Sequence, residues 1–147
     1  MAQATAIRLT GEDLRIDDVW AVAFDAADAA LSDESRTKMR AARSLVERAA
    51  HGTSEHTYGI NTGFGRFVSQ SIPEEQTEEL QLRLLRSHAC GVGPPYPDAV
   101  VRAAMLLRAN ALAKGNSGAR IETVELLLDC LNRGVLPYVP SRGSVGA

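Results

Sequence analysis

The sequence predicts an all-α chain. Three observations carry that expectation. Among 147 residues, alanine occurs 22 times and leucine 16 times. Only 5% of the residues are aromatic, whereas a β-sandwich draws on β-branched and aromatic side chains. Apolar residues also recur at three- and four-residue spacing rather than in alternation. At 45% hydrophobic and 23% charged, the composition is that of a globular chain rather than a disordered one. A domain near this size buries roughly 70% of its unfolded surface, so a sizeable core is possible.

A first helix is expected near Asp17 to Leu31, burying Val19, Val22, Ala23 and Ala26. A second spans about Asp33 to Ala50, with Met39, Ala42, Leu45, Val46 and Ala49 on one face, and stops at Gly52. The third opens at Ser71-Ile72-Pro73-Glu74, a capping-box pattern with proline tolerated in the first turn. Its start is acidic (Glu74, Glu75, Glu78, Glu79) and its end basic (Arg83, Arg86), matching the helix dipole. It runs to about His88, closed by Gly91 and Gly93.

The fourth helix starts at Pro97-Asp98, carries Val100, Val101, Ala104, Met105, Leu107 and Leu112, and ends at Gly115. The fifth runs from about Ala119 to Asn132 with Ile121, Val124, Leu127, Leu128 and Leu131 apolar, and Gly134 as its stop. Beyond it, Val135 to Pro140 is extended and proline-punctuated, and Ser141 to Ala147 is a loop of small residues.

The formal net charge of −2 points neither to nucleic acid nor to an anionic membrane. Acidic side chains crowd the first 34 residues, which reads as a solvated helix face or as a docking surface between subunits. No apolar run approaches the roughly 20 residues of a membrane span, and the first residues lack a signal-peptide core. Two cysteines forty residues apart build no disulfide framework, so a cytoplasmic, reduced setting is expected.

Four segments stand out chemically. Tyr58-Gly59-Ile60-Asn61-Thr62-Gly63-Phe64-Gly65-Arg66-Phe67 packs three aromatics and three glycines into ten residues and breaks the helical period. Tyr58 either plugs the core or serves as a general base with a lowered pKa. No Lys-Ser/Thr follows the glycines, so this is not a phosphate loop. Arg86-Ser87-His88-Ala89-Cys90-Gly91 places a histidine at a helix C-terminus, as a cap or as a group that orients a polar substrate. Cys90 lies two residues from His88, so a Cys–His dyad is not expected. His51, His56 and Cys90 have no metal-ligand spacing.

The third segment, Lys114-Gly115-Asn116-Ser117-Gly118-Ala119-Arg120, contains a Gly-x-x-Gly that a KH domain would use on RNA. Without strands, an interhelical turn with an N-cap at Ser117 explains it better. The fourth, Gly143-Ser144-Val145-Gly146-Ala147, reads alone as a flexible terminus, or allows a compact turn in which a peptide nitrogen approaches a carbonyl.

In this order YGINTGFG, LLRSHACGVG, AKGNSGAR and LNRGVLPYVPSRGSVGA resemble the aromatic amino acid ammonia-lyases, and the resemblance runs from about Leu9 to Ala147. It implies a mostly helical bundle of the ammonia-lyase (aspartase-like) type, assembled as a homotetramer with shared active sites. It also implies a 4-methylideneimidazol-5-one cofactor (MIO) formed from the chain's own Ala-Ser-Gly by loss of two waters. Ala147 matches the first residue of that tripeptide, so 1–147 reads as the N-terminal segment of a larger lyase, inactive alone. By the same resemblance Tyr58 is the base for the β-proton and His88 contacts the substrate side chain. Ser87-His88-Ala89 is similar to the branch acting on histidine, implying a small-molecule amino acid substrate, L-histidine, converted to urocanate and ammonia. Tyrosine or phenylalanine ammonia-lyases and aminomutases of the family are the alternatives. A non-catalytic helical interaction module ending at Ala147 is the rival of another class. Arg83 departs from the asparagine that many members carry there.

Overall fold

The computed structural model describes residues 6–52 and 74–143. In chain order these form β1 (Ile7–Leu9), α1 (Ile16–Phe24), β2 (Ala29–Leu31), α2 (Asp33–Gly52), α3 (Glu74–His88), β3 (Val92–Pro95), α4 (Asp98–Ala113), α5 (Ile121–Asn132) and β4 (Pro140–Arg142). Helices dominate, and each of the four strands has three or four residues. The chain divides into two compact units. One comprises the residues up to Ser44 together with Pro95–Val139; the other comprises Leu45–Pro94 and the residues from Pro140 onward.

The first unit holds the core. Leu9, Val22, Leu31, Met39, Leu106, Ala109, Val124 and Leu131 are almost or wholly excluded from solvent and form one cluster. At roughly 1.5–3 kcal/mol per large buried aliphatic, this cluster is the main stabilising term of the unit. α5 presents the expected stripe, with Val124, Leu128 and Leu131 inside. α4 turns differently from the expected register: Val101, Met105, Leu106, Ala109 and Ala113 are buried, while Val100 and Leu107 are about half exposed. A run of adjacent apolar residues does not specify which one faces inward.

The expected first helix is shorter than its composition suggests. α1 ends at Phe24, and Ala26 takes a positive φ of 55°. The chain then enters β2, which pairs in parallel with β1 in the register Ile7↔Ala29, Arg8↔Ala30, Leu9↔Leu31. Alanine prefers helix, but here two tertiary partners win. One is the β1 ladder, and the other is the Asn132 side chain. Asn132 Nδ2 donates to the Ala29 carbonyl and its Oδ1 accepts from the Ala29 N–H, both at 3.0 Å. The amide thus imitates a neighbouring strand. Replacing it (Asn132→Ala) is expected to lower stability by about 1–2 kcal/mol, read as an earlier denaturation midpoint with an unchanged slope.

α2 begins with a side-chain cap. Ser32 Oγ accepts the Ser35 N–H at 3.1 Å, and buried Ser35 Oγ donates to the Leu9 carbonyl at 3.0 Å. Lys38 pairs with Glu34 one turn earlier at 2.7 Å, and this bond holds the amine above its ordinary pKa. Leu45, expected on the buried face of α2, is 61% exposed.

The turn between α4 and α5 is interhelical, as expected, but Ser117 is not its cap. Arg120 occupies the N-cap of α5 and its side chain makes no capping bond. The requirement for glycine lies at Gly115, with φ at 75°, where a Cβ would sit 2.8 Å from the backbone of Lys38. Close approach to α2, rather than RNA, accounts for that glycine.

Arg102 of α4 is buried, and among the described residues it pairs with no carboxylate. Its Nε donates to the Val22 carbonyl at 2.8 Å and Nη1 to the Leu131 carbonyl at 3.3 Å. Both carbonyls belong to the last turns of helices, α1 and α5, where a cation complements the dipole. On the outer side of α1, Ile16, Trp20 and Phe24 are exposed, with the two aromatic rings stacked at 4.2 Å. No helix among the described residues is long and apolar enough to cross a membrane.

Candidate active site

The second unit carries the chemically distinctive residues. α3 is acidic early and basic late, and its last residue is His88. The His88 side chain is exposed, and its Nδ1 lies 2.9 Å from the Leu84 carbonyl and 3.0 Å from Ser87 Oγ. Ser87 Oγ donates to the same carbonyl at 2.9 Å. A carbonyl only accepts, so the geometry puts the imidazole proton on Nδ1. In the neutral ring Nε2 is then a hydrogen-bond acceptor. The histidine therefore caps the end of α3 through its ring N–H.

Past His88 the chain turns sharply, with the Cys90 N–H donating to the His88 carbonyl at 2.9 Å. Cys90 does not pair with the imidazole. Its thiol donates to the Gly143 carbonyl at 3.0 Å, across 53 residues of sequence. Next to it, a Cβ on Gly91 would come within 2.8 Å of the Pro140 ring. Gly143 itself has φ at 99° and admits no side chain: a Cβ would overlap the Cys90 carbonyl oxygen and stand 3.0 Å from the Gly91 Cα. β3 and β4 form a two-stranded sheet beyond this contact. The stretch leaving α3 and the stretch leading to residue 144 are therefore joined backbone to backbone.

Comparison with known proteins identifies the family. The sequence profile of the family described as aromatic amino acid lyase matches residues 14–147. The chain belongs to the aromatic amino acid lyase family. As a family member it is 49% identical over 141 residues to the histidine ammonia-lyase of Myxococcus xanthus, covering 96% of this chain and 28% of that relative. Among solved structures, histidine ammonia-lyase from Trypanosoma cruzi matches with a TM-score of 0.85 at 40% identity, over 97% of this chain and 27% of that one. The tyrosine aminomutase of Streptomyces globisporus matches with a TM-score of 0.88 at 34% identity, over 95% of this chain and 26% of that one. The chain thus spans a little over a quarter of the length of these lyase-family relatives, and its described residues are mostly helical, as the resemblance implies.

Of the three residues singled out for this family, His88 is described, whereas Tyr58 and Ala147 lie outside the described residues, as do Ser71 to Pro73 of the expected capping box. The link from Cys90 to Gly143 was not anticipated. Its trace in the sequence is the pair Gly91 and Gly143, since glycines are where backbones approach. Among the described residues no three His, Cys, Asp or Glu side chains gather as a metal site.

Proposed function

We propose that the polypeptide carrying this chain is a histidine ammonia-lyase that eliminates ammonia from L-histidine to give urocanate. The observation that carries this reading is 49% identity to a histidine ammonia-lyase across 96% of the chain. The His88 geometry adds chemical support. Nε2 as an acceptor suits the N–H of a substrate imidazole and gives nothing to a plain benzyl side chain.

The reaction must expel a poor leaving group and remove a weakly acidic β-proton. Support for a backbone-derived group comes from the resemblance and from Gly143, four residues before Ala147, which is packed so closely that only glycine is accommodated. When formed, MIO supplies an electrophile that activates the substrate amine or acidifies its β-carbon. In this reading Tyr58 takes the β-proton as phenolate, His88 holds the side chain, and Ala147 contributes the first residue of the cofactor tripeptide. Residues 1–147 form the N-terminal segment, inactive alone, of a cytoplasmic homotetramer; covering of the exposed Ile16, Trp20 and Phe24 in that assembly suits this reading.

The test is turnover of L-histidine by the full-length protein, followed by urocanate absorbance. In the same assay His88→Leu is expected to raise KM for histidine about tenfold, the cost of one hydrogen bond. A second reading, action on tyrosine, draws on the match to the tyrosine aminomutase and on Nε2 accepting equally from a phenol. Ammonia or a β-amino acid formed from tyrosine, with no urocanate from histidine, would replace the first reading by the second.

A further inference from the structure

We propose that residues 16–31 are a helix-to-strand switch: one continuous amphipathic helix until α5 is in place, and α1 followed by β2 afterwards. Three observations of different kinds converge on this segment. Its sequence keeps the helical period across the observed break. At about 3.6 residues per turn, Ile16, Trp20, Ala23, Phe24, Ala27 and Leu31 share an arc of about 100°, and Asp17, Asp18, Asp25 and Asp28 share another. The fold uses only part of that stripe: Ile16, Trp20 and Phe24 stay exposed, whereas Leu31 is buried in β2. The break itself falls on an alanine. Ala26 holds φ at 55° directly after the C-cap Asp25, a place and conformation that helices usually give to glycine, because a Cβ makes it unfavourable. Finally, the groups that hold β2 extended lie far along the chain. The Asn132 amide both donates to and accepts from Ala29 at 3.0 Å, and Leu31 is buried in one cluster with Leu106, Val124 and Leu131.

Before α5 exists, local preference decides. The segment has neither proline nor glycine, and four of the five residues from Ala26 to Ala30 are alanine, the strongest helix former. β1 is already made at that stage, but a three-residue ladder between two strands is not stable by itself. A helix of this length is in turn marginal in water, so burial of Leu31 and the two Asn132 bonds are enough to break it. The switch then turns Ala29 and Leu31 from the helix face into the core. Ile16, Trp20 and Phe24 are the half of the helical stripe that remains outside. The left-handed Ala26 is the hinge: it allows the strand without forbidding the helix, as a glycine there would.

The experiment stalls the growing chain on the ribosome at two lengths, one with Asn132 still inside the ribosome and one with Ala147 well clear of it. Isotope-labelled alanine gives NMR shifts at Ala29 and Ala30, which separate helix from strand. Helical shifts are expected at the short length and extended shifts at the long one. Ala26→Gly is expected to lose most of the helical signal at the short length, since glycine is a poor helix former. In the long chain it should keep the strand and raise the folded-to-unfolded ratio several-fold, because glycine suits a positive φ. Asn132→Ala is expected to carry helical shifts over into the long chain. Extended or random-coil shifts at the short length overturn the proposal, and so do helical shifts that Ala26→Gly leaves unchanged. If Asn132→Ala fails to fold, these two readings at the short length still decide, because neither needs the folded state.

Discussion

Tyr58→Phe in the full-length protein is expected to reduce turnover of histidine by about two to four orders of magnitude, the usual contribution of a positioned general base. The substitution removes one oxygen and keeps the ring, so packing of the glycine-rich stretch should survive. KM should change little, because the hydroxyl is assigned to proton removal rather than to binding. The mass deficit of two waters should persist, since that chemistry is assigned to the tripeptide beginning at Ala147. This combination separates a base from a structural tyrosine. Loss of a core-plugging residue would lower the unfolding midpoint and turnover together. A phenol with an ordinary pKa near 10 is a weak base at neutral pH, so the role also requires surroundings that favour the phenolate. Turnover within a few-fold of the unsubstituted protein would remove Tyr58 from the mechanism.

The second large effect concerns stability. Arg102→Met keeps most of the aliphatic stem but withdraws the guanidinium from the Val22 and Leu131 carbonyls. Two helix ends then lose a charged donor inside a region closed to water. The expected loss is about 3 kcal/mol, since bonds to charged groups each contribute about 1.5–3 kcal/mol net. Arg102→Lys should fall between, because a single ammonium on a flexible stem does not reproduce a planar fork that spans two acceptors. Denaturant unfolding monitored by helical circular dichroism measures both. A midpoint for Arg102→Met equal to that of the unsubstituted protein would show that the two carbonyls find other donors.

Helices were legible wherever a stop signal bounded a clean apolar stripe. α5, from Ile121 to Asn132, and the glycine-closed end of α3 lie where the sequence places them. The break after Phe24 was not legible, because the residues there are helix formers and the forces that redirect them are remote. One is a ladder to Ile7–Leu9 and the other is a side-chain amide 103 residues away. The inward register of α4 was blurred for a different reason: with apolar residues at 100, 101, 105, 106 and 107, several stripes fit equally well. Within the site, His88 was legible from its type and its place at a helix end. The bond from Cys90 to Gly143 was not, because periodicity carries no information about which distant backbones meet.

The discontinuity of the first unit has a consequence for the order of events during synthesis. The opening strands and α1 gain their partners from Arg102, Asn110 and Asn132, which bond to Val22, Gly11 and Ala29 respectively. None of these partners exists until some 50 further residues, 45–94, have been made. At about 5–20 residues per second, the first 44 residues wait several seconds with Leu9, Val22 and Leu31 uncovered. Closing such long-range contacts is also slow once the partners arrive. The acidic side chains concentrated before residue 35 suit that interval, since like charges keep a nascent segment apart from its neighbours on the same message. The core of this unit is complete only once α5, which supplies Val124, Leu128 and Leu131, has been made.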